Sequence, residues 1–381
     1  MPKVLIIQFQ VMHYRVPFFA QLYSKLEEDG IELVVAYSPP NRAHALRKDS
    51  ADLPKEFGCK VKGYWFADRL LYQPLWSQIR SADLVITGNE NKYLMNLWLF
   101  LLSTFRLKKV ALWGLGQVME EDKSSLANWL REKSVKAANW YFTYTDGSIP
   151  FLRKQGMSAE RITPVQNAVD TRGLSKTLES INESEIKEAR AKIAVSEGPV
   201  GIYCGNLDPT KHVPFLISAA RLIRQRVPKF QLLIVGDGPD RPWIEIAAKE
   251  NPWVHYLGPK FGREKAIALR MADVFVLPGR VGLAVLDSFA AGLPLFTTDL
   301  AIHGPEVSYL SDRENGRKTI HDIQAYADAV VEALNTPSLM AKLRQGAVAA
   351  RSRYTIEAMV ENFRTGVKRC LDSSNSVSRM V

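Results

Sequence analysis

Short apolar runs alternate, along the first half of the chain, with segments whose apolar residues recur at helical spacing. One helical segment runs from Val16 to Leu26, with Pro17 in its first turn and Gly30 beyond its end. The apolar runs predict buried strands at Val4–Ile7, Ile31–Tyr37, Leu84–Thr87, Val110–Trp113 and Tyr141–Thr145. Strands separated by helices are typical of a parallel, doubly wound sheet.

The same alternation starts again after a charged segment near 172–198. Helical spacing covers Glu185–Ala194, Val213–Arg224 and Trp243–Lys249, and apolar runs predict strands at Val200–Cys204, Gln231–Val235, Trp253–Leu257, Val274–Leu277 and Leu295–Thr297. We therefore predict an α/β fold with two Rossmann-like doubly wound domains that face each other across a cleft.

The predicted boundaries are 1–172 for the first domain and 173–355 for the second. A last helix over about 355–371 carries an apolar stripe at four-residue spacing, formed by Met359, Phe363, Val367 and Leu371. We expect the segment 356–381 to be this helix followed by a frayed tail beyond Asp372.

Composition narrows the class of protein. The cysteines Cys59, Cys204 and Cys370 are far apart and odd in number, which excludes a disulfide framework and a structural zinc site. The first apolar run is too short for a signal peptide, and the run at Leu97–Leu102 is too short to span a bilayer. These features indicate a cytoplasmic protein with reduced thiols.

The net charge of +10 is spread over both halves of the chain. Nucleic-acid binding is not expected, because neither a concentrated basic face nor a known module is found. Anionic ligands such as nucleotide diphosphates, an anionic membrane surface and a merely solvated basic surface all remain open. The segment Leu97–Phe105, followed by Arg106, Lys108 and Lys109, fits contact with the inner face of the cell membrane or a buried helix equally well.

Candidate chemistry lies in the loops after the strands, because ligands bind outside the carboxyl ends of the strands in open α/β sheets. In the first half, the candidates for the acceptor or sugar side are His13, Tyr14, Arg15, Asn89, Glu90, Gly114, Leu115 and Gly116. Gly114 and Gly116 permit a tight turn and a close approach of the backbone to a ligand.

The loops of the second half indicate an anionic ligand. Lys211 follows the strand at Val200–Cys204, and Gly282-Leu283 would begin a helix whose amides can receive a diphosphate. Asp287 lies one helical turn further, where a carboxylate can bond ribose hydroxyls. The turn at Gly236 does not match the G-x-G-x-x-G pattern, which argues against a nicotinamide enzyme.

Several of these segments, in this order, resemble the second domain of family-four glycosyltransferases (glycosyl transferases group 1), which are retaining enzymes of the GT-B fold. They are Gly205-Asn206-Leu207 with Lys211, Leu233 to Pro239, Ala272 to Pro278 and Asp287 to Pro294. Asn167 to Thr171 also looks like the segment that ends the family's first domain. The resemblance further implies that the helix in 356–381 returns to the first domain. The resemblance covers roughly 140–365 and implies a nucleoside-diphosphate-sugar donor on the second domain, an acceptor on the first, and no metal or other cofactor.

The resemblance also implies roles for individual residues. Lys211 matches a family lysine that binds the diphosphate, whereas Asn206 replaces the family's arginine. Asp287 matches the second acid of the family's E-x7-E pair, whereas Gly279 stands at the position of the first acid. Donor contacts are then expected from Gly205, Asn206, Lys211, Gly236, Lys260, Phe261, Arg280, Gly282, Leu283 and Asp287, with the Lys260-Phe261 loop meeting the nucleobase and Arg280 replacing part of the lost phosphate contact. Lys211 and His13 are the candidate catalytic residues.

A further departure concerns the sugar. Leu115 stands where the family often places a histidine near the donor sugar, and an apolar wall there would suit a 6-deoxy sugar. A sugar hydroxyl buried against it without a partner costs roughly 1–3 kcal/mol.

Three functions follow from the resemblance and its departures. The leading one is a retaining hexosyl- or deoxyhexosyltransferase of bacterial polysaccharide or glycoconjugate assembly, acting on a glycan, lipid-linked or small-molecule acceptor. The alternatives are a sugar-nucleotide epimerase of the same fold and a catalytically weak nucleotide-sugar-binding protein. Donor turnover separates the last from the others, and dependence on an acceptor separates the transferase from the epimerase.

Overall fold

The computed structural model of the chain describes residues 1–41, 50–90, 92–116 and 125–373. The chain divides into two compact units, Met1–Asp170 with Ile356–Val381 and Thr171–Thr355. The predicted frayed tail lies, from residue 374 onward, outside the described residues.

The first unit contains a parallel sheet. Its strands are β1 (Lys3–Ile7), β2 (Glu32–Tyr37), β3 (Gly58–Lys60), β4 (Tyr64–Phe66), β5 (Leu70–Tyr72), β6 (Leu84–Gly88), β7 (Lys109–Gly114), β8 (Trp140–Thr143) and β9 (Ile162–Pro164). In the described residues, seven of them pair in the order β3-β2-β1-β6-β7-β8-β9, while β4 and β5 form an antiparallel pair. Ile6 of β1 aligns with Val35 on one side and Ile86 on the other, and all three side chains are fully buried.

Helices connect these strands. They are α1 (Val16–Glu28), α2 (Trp76–Ser81), α3 (Met95–Thr104), α4 (Ser125–Ala137) and α5 (Ile149–Lys154). As the sequence predicts, α1 carries Pro17 in its first turn and is followed by Gly30, whose φ of 70° suits a glycine. Its inner face buries Phe18, Phe19 and Leu22.

The second unit repeats this architecture. Its strands are β10 (Val200–Cys204), β11 (Gln231–Val235), β12 (Val254–Gly258), β13 (Val274–Val276), β14 (Leu295–Thr298) and β15 (Gly316–Thr319), in the order β12-β11-β10-β13-β14-β15. Its helices are α6 (Arg172–Ser180), α7 (Glu183–Lys192), α8 (Val213–Arg226), α9 (Arg241–Glu250), α10 (Gly262–Arg270), α11 (Ala284–Ala290), α12 (Ile323–Asn335) and α13 (Pro337–Arg353). The described pairings between neighbouring strands are parallel, which confirms the α/β class.

The last helix, α14 (Ile356–Asp372), packs on the first unit. Phe363 stacks on Phe142 with ring centroids 4.3 Å apart and meets the edge of Trp113 at 5.0 Å. Arg364 donates to both carboxylate oxygens of Asp29 at 2.6 and 2.7 Å, and these bonds lower the pKa of Asp29 to about 2. Aromatic packing and a bidentate ion pair therefore attach α14 to α1 and to the sheet.

Some elements differ from the sequence predictions. The strand predicted at Tyr141–Thr145 ends at Thr143, because Thr145 already accepts a hydrogen bond from the amide of Ser148 in the next turn. The charged segment near 172–198 forms two helices, α6 and α7, of which the sequence predicts only the second, at Glu185–Ala194. Asn182 and Glu185 form a capping box at the start of α7.

Helix α3 is buried on one side only. Met95, Leu99 and Ser103 are buried, whereas Leu97 and Trp98 are 51% and 53% exposed. The segment is therefore a helix that is buried on one face and exposed on the other. Among the described residues, no helix is both long and apolar enough to span a membrane.

The basic residues after α3 differ in their exposure. Lys108 donates to the carbonyls of Arg80 and Ala82, and Lys109 donates to carbonyls at the end of α14, including that of Leu371 at 2.6 Å. Both lysines are half-buried, and only Arg106 of the three is exposed. The two lysines serve as structural donors because the helix ends leave carbonyls without helical partners.

We predict that Phe363→Ala destabilises the first unit by about 3–5 kcal/mol, because the change removes a fully buried ring and leaves a cavity. Urea unfolding followed by tryptophan fluorescence measures the loss. Thr365→Ala, an exposed position of the same helix, is the control and should change stability by less than about 0.5 kcal/mol. Equal effects of the two substitutions would contradict the described packing of α14.

Candidate functional site

The loops after β10 and β13 meet at one edge of the second sheet. After β10 the chain adds β11 and β12 on one side, and it then crosses to β13, β14 and β15 on the other. The neighbouring strands β10 and β13 therefore form the topological switch point, which is where open α/β sheets bind ligands. Lys211 follows β10, and Gly279 to Leu283 follow β13.

The two loops are joined by short backbone contacts. The amide of Arg280 donates to the carbonyl of Thr210 at 2.8 Å, and Lys211 Nζ donates to the carbonyl of Arg280 at 2.7 Å. A Cβ atom on Gly279 would lie 2.3 Å from the carbonyl carbon of Lys211 and 2.4 Å from the oxygen of Thr210. The position of the family's first acid is thus filled by backbone, and no side chain fits there unless a loop moves.

Lys211 is a half-buried cation at this edge. Burial lowers the pKa of Lys211 below its ordinary 10.5, and the charge of Arg280 acts in the same direction, whereas Asp208 opposes the shift. Asn206, in place of the family's arginine, is exposed and donates to Asp208 at 2.6 Å. The side chain of Arg280 is also exposed.

Asp287 has a partner that the sequence analysis missed. Lys265 Nζ of α10 lies 2.7 Å from Asp287 Oδ2, and both side chains are more than three quarters buried. Burial alone would lower the pKa of Lys265, but Asp287 and Cys204 raise it, and the net pKa lies above 10.5. The pair holds a carboxylate in place in the first turn of α11, a helix that begins at Ala284, two residues after Gly282.

The remaining predicted donor residues are arranged around the same edge. Gly236 lies so close to Gly205 that a Cβ on Gly236 would be 1.8 Å from the Gly205 oxygen. Lys260 pairs with Glu264 at 3.1 Å, and Phe261 is 79% exposed. These last two residues follow β12, two strands away from β10.

His303 supports the loop after β13 and was not singled out as a site residue by the sequence. Its Nδ1 accepts the amide hydrogen of Val281 at 2.9 Å, so the ring proton must be on Nε2, which lies 2.7 Å from the carbonyl of Thr298. The amide of Gly304 also donates to the carbonyl of Val281 at 2.6 Å. The loop is thus fixed by a neutral, buried histidine.

In the first unit, the predicted residues after β1 have different environments. His13, Tyr14 and Arg15 form a single 3-10 turn, in which His13 is exposed. Arg15 is 9% exposed and donates to Asn167 Oδ1 at 2.5 Å, while its guanidinium lies 5.4 Å from the centre of the Trp113 ring. The charge of Arg15 is therefore already engaged within the unit.

The loops after β6 and β7 are joined by a buried tyrosine. Tyr141 OH accepts hydrogen bonds from Asn89 Nδ2 at 3.4 Å and from the amide of Gly116 at 3.2 Å. Gly116 has a φ of 73°, and the carbonyl of Leu115 accepts from Ser148 Oγ at 2.5 Å. Gly114 also lies beside Tyr141, since a Cβ on it would be 3.6 Å from the hydroxyl.

A cavity opens at the switch point of the first sheet, beside the ends of β1 and β6. It is lined by Ile7, Gln8, Phe9, Gln10, Val11, Met12, Tyr14, Arg15, Phe19, Gly88, Glu90, Tyr93, Trp113 and Tyr144. The structure thus brings the predicted Tyr14, Arg15 and Glu90 together. Among the described residues, no group of three or more histidine, cysteine or acidic side chains is placed to hold a metal ion.

We predict that the protein loses stability as the pH falls below the ordinary histidine pKa of 6.5, partly through His303. Burial and the charges of Lys318 and Lys211 lower the pKa of His303, although its bond to Thr298 acts in the opposite direction. The unfolded chain therefore takes up a proton at a pH where the folded chain does not. Between the lowered pKa of His303 in the folded chain and its ordinary value in the unfolded chain, the free energy of unfolding rises with pH.

His303→Gln tests this prediction by urea unfolding at about pH 8 and about pH 6. A glutamine can accept from Val281 and donate to Thr298 without titrating, so the stability of this variant should depend less steeply on pH. His303→Ala should lose about 1–3 kcal/mol at the higher pH, because two buried backbone groups lose their partner. An unchanged pH dependence in His303→Gln would contradict the assignment.

Comparison with known proteins adds to this geometry. The sequence model of the family described as Glycosyl transferases group 1 matches residues 198–336. Over 246 residues the chain is 25% identical to the EpsD protein of Bacillus subtilis strain 168, with 62% of this chain and 63% of that protein covered. The matched segment therefore spans less than two thirds of EpsD. Over 318 residues the chain is 23% identical to the alpha-D-kanosaminyltransferase of Streptomyces kanamyceticus, covering 80% of this chain and 76% of that enzyme.

A solved structure matches both units. The crystal structure of Anabaena Alr3699/HepE in complex with UDP superposes with a TM-score of 0.69 at 15% identity, and the match covers 97% of this chain and 100% of that chain. At this identity the likeness supports the fold alone. Residues 198–336 therefore match the glycosyl transferases group 1 family, within a chain that has the GT-B fold.

Proposed function

We propose that the protein is a retaining glycosyltransferase that moves a hexosyl or deoxyhexosyl group from a nucleoside-diphosphate-sugar to a glycan, lipid-linked or small-molecule acceptor in bacterial polysaccharide or glycoconjugate assembly. The observation that carries the proposal is the placement of Lys211, the loop before α11 and Asp287 around the switch point of the second sheet. The match to the glycosyl transferases group 1 family over these residues supports it.

The donor diphosphate is proposed to bind Lys211 and the backbone of Gly282 and Leu283. Lys211 is half-buried, so its charge acts on a nearby anion with less screening than the charge of a fully exposed lysine. Asp287, held by Lys265, is proposed to accept hydrogen bonds from the ribose. Lys260 and Phe261, after β12, are proposed to meet the nucleobase.

Catalysis is proposed to come from stabilising the departing nucleoside diphosphate. As the bond to the sugar breaks, negative charge grows on the diphosphate, and a fixed cation there stabilises the transition state more than the ground state. Gly279 supplies no acid, so no acid at that position contacts the sugar. Stabilisation of the leaving group by Lys211 does not require an acid at that position. His13 is proposed to act on the acceptor side.

We predict that Lys211→Met weakens the binding of the matching nucleoside diphosphate by about 10- to 150-fold, because a hydrogen bond to a charged group contributes about 1.5–3 kcal/mol. The measurement is a thermal shift and titration with uridine, guanosine, thymidine and cytidine diphosphates and their sugars. Lys249→Met, an exposed lysine at the end of α9, is the control and should bind as the wild type does.

The same panel separates the alternative functions. Slow release of nucleoside diphosphate, accelerated by an acceptor mixture, supports the transferase. Stabilisation by a donor without release supports a nucleotide-sugar-binding protein, and conversion of the donor sugar without an acceptor supports an epimerase. A preference for a hexose with an intact 6-hydroxyl over its 6-deoxy analogue would contradict the apolar role proposed for Leu115.

We also propose that the first unit contacts an anionic membrane surface. Large apolar side chains in the segment 64–107 are exposed to solvent: Tyr64, Phe66, Leu70, Trp76, Leu97, Trp98, Leu101, Phe105 and Leu107. Trp76 of α2 and Trp98 of α3 meet edge to face at 5.6 Å, which joins the two helices into one surface. Arg69, Arg80 and Arg106 are exposed in the same segment, and Lys62 is exposed just before it. Tryptophans and cations together suit the interface of an anionic bilayer.

We predict that the wild-type protein floats with vesicles of anionic phospholipid at low salt and that Trp98→Ser/Leu101→Ser lowers the bound fraction. Each apolar side chain removed from the bilayer costs about 1.5–3 kcal/mol, so the partition coefficient should fall at least about tenfold. Trp243→Ser, which removes a 67% exposed tryptophan from the second unit, should float as the wild type does. Absence of wild-type flotation, or equal loss in both variants, would count against this surface.

A further inference from the structure

The side chains of Lys265 and Asp287 join the first turns of two helices that begin at the same edge of the second sheet. Lys265 lies in α10, one turn after Phe261, whose carbonyl accepts from the Lys265 amide at 3.3 Å. Asp287 lies in the first turn of α11, which follows Gly282 and Leu283. Lys265 Nζ and Asp287 Oδ2 are 2.7 Å apart, so this ion pair connects the loop after β12 with the loop after β13.

Each member of the pair has hydrogen-bonding capacity that the described part of the chain does not use. An ammonium group has three N–H donors, and each oxygen of a carboxylate accepts separately. Among the described residues, the hydrogen-bond acceptor of Lys265 Nζ is Asp287 Oδ2, and Asp287 Oδ1 receives no hydrogen bond. The pair therefore keeps spare N–H donors next to a free carboxylate oxygen.

The cysteine beside the pair does not take up this capacity. Cys204 ends β10, and burial together with the charge of Asp287 raises the pKa of its thiol to about 12, although Lys265 acts in the opposite direction. An uncharged thiol is a weak hydrogen-bonding partner. The ammonium group of Lys265 therefore depends on Asp287 for its counter-ion.

The pair is partly buried and still open to a ligand. The side chains of Lys265 and Asp287 are 24% and 22% exposed. Withdrawing two charges from water is unfavourable unless their remaining donors and acceptors also find partners. A ligand that supplies one acceptor and one donor at this edge meets that condition.

The positions of these groups follow the order of the parts of a nucleoside diphosphate. Under the proposed function, Phe261 meets the nucleobase, and the backbone of Gly282 and Leu283 receives the diphosphate. The ribose lies covalently between the base and the diphosphate. The ion pair likewise joins the helix that begins after Phe261 to the helix that begins after Leu283.

We propose that the Lys265–Asp287 pair recognises both hydroxyls of a ribose, one donating to Asp287 Oδ1 and its neighbour accepting from Lys265 Nζ. That Asp287 faces the ribose rests on the proposed function, whereas the direct contact by Lys265 goes beyond it. Neighbouring hydroxyls supply a donor and an acceptor together, since each can do either. A 2′-deoxyribose leaves one member of the pair without its partner, so the site selects ribonucleotide donors over thymidine diphosphate sugars.

The wild-type test compares nucleoside diphosphates that differ by one hydroxyl. Uridine, guanosine, adenosine and cytidine diphosphates are each titrated by calorimetry beside their 2′-deoxy and 3′-deoxy analogues. For the base that binds most tightly, each analogue is expected to bind about 10- to 150-fold more weakly, because it lacks one hydrogen bond to a charged group.

Lys265→Met separates direct contact from a merely supporting role. Removing the hydroxyl that Lys265 contacts should weaken binding to this variant by about twofold or less, whereas removing the other hydroxyl should still weaken it about tenfold. A residue that only held Asp287 in place would change both effects together. Lys265→Arg keeps a charged donor and should retain both preferences, as should the exposed control Lys249→Met.

A second variant covers the case in which Lys265→Met folds poorly, since that change leaves a carboxylate without its counter-ion. Lys265→Met/Asp287→Leu replaces the ion pair by an apolar pair of similar size, which proteins tolerate better than a single unpaired charge. This double variant should bind the ribonucleotide and its two deoxy analogues within about threefold of one another.

Three results would overturn the proposal while leaving the proposed function standing, because a nucleotide binds in each. The first is a wild-type protein that binds either deoxy analogue within about twofold of the ribonucleotide. The second is an equal fall of both hydroxyl effects in Lys265→Met, and the third is a double variant that keeps the wild-type preference. A wild-type protein that binds none of the nucleotides would overturn the proposed donor site and this inference together.

Discussion

The donor half of the candidate site depends on one close approach of backbone to backbone. The segment at Thr210 and Lys211 lies against Gly279 with no room for a Cβ atom, and the amide of Arg280 closes the contact on Thr210. This approach brings Lys211 Nζ to the carbonyl of Arg280 and so directs the ammonium group across the switch point of the sheet. A glycine is required there by the space available and not by its backbone angles.

A comparable constraint organises the first unit. Phe363 of the last helix inserts between Phe142 and Trp113, so the ends of β7 and β8 are positioned by a helix that is more than 200 residues away in sequence. The position of the Trp113 indole is a product of this packing. The packing of this unit and the shape of its cavity are therefore not separable, because Trp113 lines the cavity and is also a member of the aromatic core.

The central strands and the residues near a matched motif could be predicted from the sequence. Residues whose role depends on contacts with distant parts of the chain could not. Strands such as β1 and β10 are buried on both faces and appear as continuous apolar runs, whereas β3, β9 and β15 are short and partly polar. Lys211 and Asp287 were found because their spacing follows a motif. Lys265 and His303 were not found, because each acts through a hydrogen-bond partner on another element, 22 residues away along the chain. The roles of the site residues remain predictions.

The two departures from the family pattern compensate each other in charge. Asn206 in place of an arginine removes one positive charge, and Gly279 in place of an acid removes one negative charge, so the net charge of the candidate site is that of the pattern. What is lost is the pair of directed contacts, and long-range attraction for an anion is kept. On the proposed function, diphosphate binding would then depend more on the backbone of the loop after β13, whose amides have fixed directions. The neutral ring of His303, which holds Val281 in that loop, therefore carries more of the geometry than it would in a site with a full set of charged side chains.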